Sequence, residues 1–396
     1  MARIRKVAIA GAGLGGLYAA AALARRGLEV LVCERAPELG EAGAGIQISP
    51  NGAKLLARID ALVDVERDAF QPEAAELRLG RSGATVLHMP LGAAAEARWG
   101  APYLQVHRAD LLAALERAAR EAGVGIRLGA AIKDVTQDDT GAALTLEGGE
   151  TLEADAVIGA DGVRSTVRAA LFGPEAPRFT GQIAWRGVVP AERLPRGLVH
   201  PTATVWAGPG RHLVTYYLRR GALVNFVAVE ERAEWRTEDW RAEGDVAEMR
   251  AAFEGWGPGA AAVLEAADRC LLWGLFDRPA PPAWSQGRVA LLGDACHPML
   301  PFLAQGATQS FEDGAALARR VADADDVPAA LRAYETDRRA RAVRVQAASH
   351  ANAGLFHARG PAARALRYGP IAIGARLAPR LAMSRFDWLY GHTEPA

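Results

Sequence analysis

His212 and Tyr216 are the two side chains of this sequence with the clearest potential for acid–base chemistry. They lie four residues apart in the predicted strand from His212 to Leu218. Side chains alternate between the two faces of a strand, so both should point to the same side. A neutral histidine can accept a phenolic proton near neutral pH. The pair therefore indicates a face that lines a pocket, and the alternative is that both side chains pack within a sheet.

A glycine-rich segment, Gly11-Ala-Gly-Leu-Gly-Gly16, follows a short apolar strand and opens an Ala-rich helix. These glycines permit a tight turn and close approach of the backbone to a pyrophosphate, and the helix N-terminus offers free N–H groups. Glu34 ends the next predicted strand, where a carboxylate can bind ribose hydroxyls. The pattern does not separate FAD from NAD, and a purely geometric strand-to-helix turn is the alternative. The residues of this predicted dinucleotide site are Gly11, Gly13, Leu14, Gly15, Gly16, Glu34 and Arg35.

The stretch from Gly293 to Asp313 contains an acidic turn, two prolines and the start of a helix after an apolar strand. Asp294, at the strand end, can accept hydrogen bonds from the hydroxyls of a ribityl chain. The positive end of the helix that opens at Gly306 and Ala307 would stabilise negative charge on a reduced isoalloxazine. The stretch thus predicts a second anchoring point for a long cofactor, and the alternative is an ordinary helix cap with a proline turn.

Composition and charge exclude several classes of partner. The chain has 396 residues, half of them apolar, and its 46 basic and 46 acidic side chains cancel. That balance gives no reason to expect nucleic acid or an anionic membrane as a partner. Cys33, Cys270 and Cys296 lack metal-ligand spacing, so we expect no metal and reduced thiols in a cytoplasmic protein. The uncharged run from Val7 to Ala24 contains the glycine turn, which argues against a signal peptide or membrane helix.

The predicted elements place these groups on two sheets. The segment from Lys6 to Cys33 forms a βαβ unit. From Phe179 to Leu272 the pattern changes to alternating, aromatic-rich strands, and Val289 to Gly293 returns to a short apolar strand. We predict an α/β fold in which a doubly wound, Rossmann-like FAD-binding domain is interrupted by an antiparallel-sheet substrate domain and followed by a helical C-terminal extension. The predicted boundaries are 1–72, 101–178 and 273–328 for the cofactor domain, 73–100 and 179–272 for the substrate domain, and 329–396 for the helical segment.

Three motifs follow one another along the chain: Gly11 to Gly16 with Glu34, Asp161-Gly162-Val163-Arg164-Ser165, and Gly293-Asp294 running into His297-Pro298. With these motifs the chain resembles the group A flavoprotein monooxygenases, the aromatic-ring hydroxylases of the p-hydroxybenzoate hydroxylase fold. The resemblance covers essentially the whole chain and is greatest to the branch of salicylate, 3-hydroxybenzoate and 6-hydroxynicotinate hydroxylases. It implies FAD as the bound cofactor and NADH or NADPH as a transient reductant.

The resemblance also implies roles for single residues. It matches Arg108 to the arginine that reaches the FAD, and Asp161 or Arg164 to the handling of flavin and pyridine nucleotide. Local sequence alone also fits a solvated arginine and a turn with a surface ion pair. His297 resembles a structural member of the flavin loop. The further implied cofactor contacts are Gly45, Arg108, Asp161, Arg164, Asp294, Pro298, Gly306, Ala307 and Thr308.

For the substrate, the resemblance places His212 and Tyr216 where the family orients and deprotonates the ring hydroxyl. Pro301 and Phe302 stand where some relatives carry His or Gln, which removes a polar group from the expected pocket. The expected pocket residues are Gln47, Trp185, Phe226, Pro301 and Phe302.

The predicted activity is hydroxylation of a small phenolic acid or related heteroaromatic ring with NAD(P)H and O₂, through a flavin C4a-hydroperoxide. We expect a cytoplasmic monomer or homodimer. Alternatives within the fold are oxygenation of a larger antibiotic or polyketide ring, and hydroxylation with loss of a carboxylate. Alternatives of another class are an NAD-dependent dehydrogenase built on the first βαβ unit and a flavin-binding protein without turnover.

Overall fold

The computed structural model describes residues 4–40, 44–235, 242–377 and 379–396. Short apolar runs form its central strands, and longer alternating runs form the strands of a larger sheet. The strands are β1 (Lys6–Ala10), β2 (Glu29–Cys33), β3 (Gly45–Ile48), β4 (Ala74–Leu79), β5 (Thr85–Pro90), β6 (Leu104–His107), β7 (Gly125–Arg127), β8 (Ile132–Gln137), β9 (Ala142–Leu146), β10 (Thr151–Ala154), β11 (Ala156–Gly159), β12 (Arg178–Pro190), β13 (Ala203–Gly208), β14 (Arg211–Leu218), β15 (Leu223–Glu231), β16 (Glu243–Gly244), β17 (Cys270–Asp277), β18 (Ser285–Gln286) and β19 (Val289–Leu291).

The helices lie between these strands and in the last part of the chain. They are α1 (Leu14–Ala24), α2 (Pro50–Arg58), α3 (Leu62–Asp68), α4 (Ala93–Trp99), α5 (Arg108–Glu121), α6 (Thr166–Phe172), α7 (Val246–Ala252), α8 (Pro258–Glu265), α9 (Gly306–Val321), α10 (Val327–Phe356), α11 (Pro361–Leu377), α12 (Pro379–Ser384) and α13 (Asp387–Tyr390). In the described part of the chain, none of these helices is both long and apolar enough to cross a membrane.

A six-stranded sheet has the strand order β18-β19-β11-β1-β2-β7. Its neighbours pair in parallel except for β18 and β19, which are antiparallel. Strand β1 of the first βαβ unit therefore lies beside β11, and β11 lies beside β19, which comes from far later in the sequence. This confirms the prediction that the chain returns to its first sheet.

An eight-stranded sheet has the order β16-β17-β12-β15-β14-β13-β4-β5 and is antiparallel except where β13 pairs with β4. The observed α/β architecture, with a helical C-terminal region, confirms the predicted fold class. Strand β17 belongs to this sheet and continues to Asp277, beyond residue 272. The domain boundaries themselves stay a prediction.

The two faces of the eight-stranded sheet have different neighbours. One face packs on α7 and α8 in an apolar core that contains Trp185, Phe226 and Trp256. The opposite face contributes Val227 and Val229 to a second cluster, which includes residues from the end of α10 and from α11. Because side chains alternate along each strand, adjacent residues of β15 belong to different cores. The second face is the one that meets the candidate site.

Candidate active site

A cavity of about 300 Å³ lies between the carboxyl ends of β1, β11 and β19 and one face of β14 and β15. Crevices at the carboxyl ends of parallel strands are the usual ligand sites of open α/β sheets. Residues from the glycine turn, from the loop after β19 and from the large sheet all line this space. The two predicted halves of the site therefore meet in one cavity.

The glycine turn between β1 and α1 requires glycine at two close approaches. Gly11 has φ of +102°, and a Cβ there would lie 2.5 Å from the carbonyl oxygen of Ala160. A Cβ on Gly16 would lie 2.0 Å from the carbonyl oxygen of Gly11. A Cβ on Gly13 would meet nothing within 4 Å among the described residues, so the first turn of α1 is open toward the cavity. Backbone N–H groups at an open helix start are a natural site for a diphosphate.

Glu34 fixes the same turn from the end of β2. Its carboxylate accepts hydrogen bonds from the N–H of Ala12 at 2.8 Å and from the N–H of Ala36 at 2.9 Å. Arg35 beside it is exposed. The acidic group thus lies against the glycine turn, in the position that the dinucleotide fingerprint predicts.

Asp294 and the start of α9 form the second part of the site. Asp294 lies in a short 3₁₀ turn after β19, and its side chain opens onto the cavity. Burial by the surrounding protein raises the pKa of this carboxyl group, while the charges of His297 and Arg108 act in the opposite direction. Gly306 and Ala307 line the cavity, and among the described residues no side chain caps α9. The positive end of this helix dipole is therefore available to a ligand.

His297 has a structural position behind this loop. It is buried, and its Nε2 lies 2.6 Å from Oδ2 of Asp313 in α9. Burial opposes the charged ring, but the carboxylate of Asp313 outweighs it, and the pKa of His297 is well above the usual range. This ion pair ties the loop after β19 to α9. His297 does not line the cavity.

His212 and Tyr216 both line the cavity from β14, with Val214 between them on the same face. Nδ1 of His212 lies 2.6 Å from Nε2 of His357, whereas its own Nε2 has no hydrogen-bond partner in the described ranges. Burial, together with the nearby His357, holds the pKa of His212 well below the usual range. The ring is therefore neutral near pH 7.

Tyr216 packs against the backbone of Gly45 in β3. A Cβ on Gly45 would lie 2.5 Å from the ring of Tyr216, so only glycine permits this contact. The N–H of Gly45 donates to Oδ1 of Asn225, the residue paired with Tyr216 across the sheet. Burial raises the pKa of Tyr216, which keeps its hydroxyl protonated and able to donate a hydrogen bond.

The sequence and the structure are similar to known proteins over nearly the whole chain. The family model described as "FAD binding domain" matches residues 5–349. The chain is 39% identical over 387 residues to the 3-amino-4-hydroxybenzoate 2-monooxygenase of Streptomyces platensis, covering 98% of this chain and 96% of the relative. It is 40% identical over 354 residues to the 6-hydroxynicotinate 3-monooxygenase of Bordetella bronchiseptica, covering 88% and 92%. The structure of HpxO from Klebsiella pneumoniae complexed with FAD and uric acid has a TM-score of 0.84, at 26% identity, and covers 98% and 97% of the two chains.

The chain belongs to the FAD binding domain family, as a group A flavoprotein monooxygenase. FAD is its cofactor, as predicted, and NAD(P)H is the typical reductant of the family. The match extends far beyond the first βαβ unit, so the alternative of a dehydrogenase built on that unit alone is set aside.

The residues of this monooxygenase fit FAD at both ends of the cavity. The open start of α1 with Gly13 suits the diphosphate, and Asp294 with the open start of α9 suits the ribityl and flavin portions. The predicted cofactor residues that line the cavity are Gly13, Leu14, Gly15, Gly45, Arg108, Asp294, Gly306 and Ala307. Those that lie outside this space are Gly11, Gly16, Glu34, Arg35, Asp161, Arg164, Pro298 and Thr308.

Asp161 and Arg164 are two predicted cofactor residues whose side chains lie away from the cavity. Asp161 accepts hydrogen bonds from the N–H groups of Thr166 and Val167, at 2.7 and 3.2 Å, and so helps to cap α6. Arg164 is exposed. The neighbouring Ala160 and Gly162 line the cavity instead, so the backbone of this motif approaches the site more closely than its charged side chains do.

The structure corrects part of the expected substrate pocket of the monooxygenase. Gln47, Pro301 and Phe302 line the cavity, but Trp185 and Phe226 are buried in the core against α7 and α8. Each lies one residue away from a position that faces the cavity side, and a shift of one residue along a strand moves a side chain to the other face.

Several residues at the cavity were absent from the predicted site. Arg186 lines it from β12, and burial lowers the pKa of this guanidinium group. Alternation along β12 places Arg186 on the face opposite to that of its neighbour Trp185. Gln305 lies in the predicted flavin loop. His357 carried no signal, since only the fold brings it to His212, 145 residues away.

Proposed function

We propose that the protein hydroxylates a small aromatic substrate, a phenolic acid or related heteroaromatic ring, with NADH or NADPH and O₂. The observation that carries this proposal is that His212 and Tyr216 line the same cavity as Asp294 and the start of α9. Both relatives described above are named for oxygenation of a hydroxylated aromatic acid.

FAD, once reduced by the nicotinamide cofactor, supplies the activated oxygen that is transferred to the ring. The protein contributes proton control at the ring hydroxyl. Neutral His212 accepts the phenolic proton, and the resulting phenolate is a better electron donor to the ring carbon under attack. The hydroxyl of Tyr216 donates a hydrogen bond to the phenolate oxygen. Apolar side chains of the sheet, including Val227 and Val229, exclude water from the same space.

Positive charge in the cavity supports an acidic substrate. Arg108 and Arg186 both line it, and burial together with the charge of Arg186 lowers the pKa of Arg108 to about 10. Two guanidinium groups that destabilise each other are stabilised by an anion placed between or beside them. Asp294 already lies near Arg108, so we assign the carboxylate of the ring to Arg186.

The test is a panel of hydroxybenzoates, aminohydroxybenzoates and hydroxynicotinates added to the FAD-loaded protein. We expect one class to stimulate NADH or NADPH oxidation at least about tenfold, with product formed in place of peroxide. Incorporation of one atom from ¹⁸O₂ into the product, measured by mass spectrometry, identifies a monooxygenation. If no aromatic acid stimulates oxidation, or if all consumed O₂ appears as peroxide, the proposal is wrong. The same preparation gives the oligomeric state, for which monomer or homodimer stays our prediction, by light scattering.

A further inference from the structure

His212 is the inner end of a row of three polar side chains. Its Nδ1 lies 2.6 Å from Nε2 of His357, and Nδ1 of His357 lies 2.9 Å from Oε1 of Glu231. The three residues come from β14, from the residue that ends α10, and from the last position of β15. Each distance is that of a hydrogen bond.

The row leads from the cavity to the surface. His212 is fully buried, the side chain of His357 is 3% exposed, and that of Glu231 is 36% exposed. At the outer end, the other oxygen of Glu231 accepts a hydrogen bond from the exposed Arg359. A proton at Glu231 is therefore in contact with solvent, while one at His212 is not.

The hydrogen bonds fix where the protons lie on the two rings. Burial lowers the pKa of His357, although Glu231 partly offsets the effect, and both rings are neutral near pH 7. A carboxylate accepts, so His357 donates from Nδ1 and its Nε2 is an acceptor. His212 must then donate from Nδ1, which leaves its Nε2 without a proton. Nε2 is also the atom without a hydrogen-bond partner in the part of the chain that the structure describes.

We propose that His357 and Glu231 form a proton relay that carries the proton of the substrate's ring hydroxyl from His212 to solvent. This inference rests on the proposed function, because it names the route for the proton that hydroxylation of a phenolic ring must move. His357 and Glu231 touch neither substrate nor flavin in this assignment. They act through His212 by setting which of its nitrogens accepts and by taking up the proton that it passes on.

The transfer balances without any further reactant. The ring O–H bond breaks and an N–H bond forms at Nε2 of His212, while the Nδ1 proton of His212 moves to Nε2 of His357. The Nδ1 proton of His357 moves to Glu231, and the protonated carboxyl group releases it to water. Each histidine is again neutral, and the reverse transfer restores both rings.

Glu231→Gln removes the proton acceptor at the outer end but keeps a side-chain oxygen for the hydrogen bond. Its matched control is Glu230→Gln on the same strand, where the native carboxylate pairs with Arg211 and Arg232 outside the relay. Proton release is followed by stopped flow with a pH indicator when the FAD-loaded protein is mixed with the aromatic acid that the panel identifies. We expect release and kcat to fall about tenfold or more in Glu231→Gln, with FAD content and substrate Kd unchanged. The control should behave like the unsubstituted protein.

His357→Gln tests the middle of the relay, because glutamine can bond to both neighbours but cannot pass a proton on. We expect a similar loss of release rate, partly restored by added imidazole. If both variants release protons within about twofold of the unsubstituted protein, the relay is wrong.

A second measurement does not depend on turnover. ¹⁵N NMR of histidine-labelled, FAD-loaded protein near pH 7 should show His212 and His357 protonated at Nδ1 only. A proton on Nε2 of His212 would overturn the relay even if the protein hydroxylates an aromatic acid. Failure of the whole panel with the expected NMR result would instead contradict the proposed function alone.

Discussion

Buried polar groups differ in their hydrogen-bond partners between the cavity and the charged cluster between α9 and α10. In the cluster, Arg338 is fully buried and donates to Glu312, Asp313 and Glu394 at 2.7 to 2.9 Å. At the cavity, Nε2 of His212 and Nε of Arg186 have no hydrogen-bond partner within the described ranges. Burying a polar group without a partner costs free energy, so an unpaired group that persists indicates a ligand. The guanidinium group and the three carboxylates of the cluster find their partners within the chain, whereas the cavity leaves Nε2 of His212 and Nε of Arg186 for a ligand.

The cluster also holds the loop that presents Asp294. Asp313 binds Arg338 through one oxygen and His297 through the other, and His297 belongs to the loop after β19. Charges from Arg338 and Arg341 overcome the effect of burial and lower the pKa of Glu312 to about 2. The charged groups between α9 and α10 thus stabilise the fold. The polar groups at the N-terminal end of α9 are available to cofactor and substrate.

The largest expected effect comes from breaking the cluster. Arg338→Met leaves three buried carboxylates without their shared guanidinium group, and removing one partner of a buried ion pair typically costs about 3–5 kcal/mol. We expect the free energy of unfolding of the FAD-loaded protein to fall by about that amount in chemical denaturation. Arg332→Met, an exposed position of α10, is the control and should change stability by less than about 0.5 kcal/mol. Equal stability of the two variants would contradict a cluster that stabilises the fold.

A substitution at the cavity should lower the rate of catalysis and leave the stability of the fold unchanged. His212→Asn keeps a donor for His357 but removes the proton acceptor, so we expect kcat for substrate-stimulated turnover to fall about 100- to 1000-fold. FAD content, read from the flavin absorbance, and thermal stability should stay close to those of the unsubstituted protein. His200→Asn, at a half-exposed side chain outside the cavity, is the matched control. Loss of FAD from His212→Asn would show that this residue supports the cofactor site instead.

Local patterns in the sequence predicted several of the residues that form the cavity site. The glycine turn, Glu34 and Asp294 were recognisable because a βαβ unit and a strand-end acid follow short-range rules of spacing. The shared face of His212 and Tyr216 followed from alternation along one strand. Arg338, Glu394 and His357 could not be predicted in the same way. Their partners are remote in sequence. Packing of α10 on α9 and on the large sheet places Arg338 and His357, and the chain after α13 brings Glu394 to Arg338.

The misplacement of Trp185 and Phe226 has a different cause. Both were expected at the pocket because large aromatic side chains suit an apolar wall. Strand alternation alone fixes only which residues share a face, and the choice of face depends on what packs there. The helices α7 and α8 cover one face of the sheet, and this packing takes up the two aromatic rings.

The smallest expected effects come from the same change, valine to alanine, made once on each face of β15. Val224 lies in the core against α7 and α8, and Val227 lies on the opposite face at the cavity. We expect Val224→Ala to lower the free energy of unfolding by about 1–2 kcal/mol, because it removes buried apolar volume, and to leave KM for the aromatic substrate unchanged. Val227→Ala should cost less stability, since it enlarges a space that solvent already reaches, and should change KM several-fold. The reverse pattern, with KM responding at Val224, would mean that the cavity lies on the other face of the sheet.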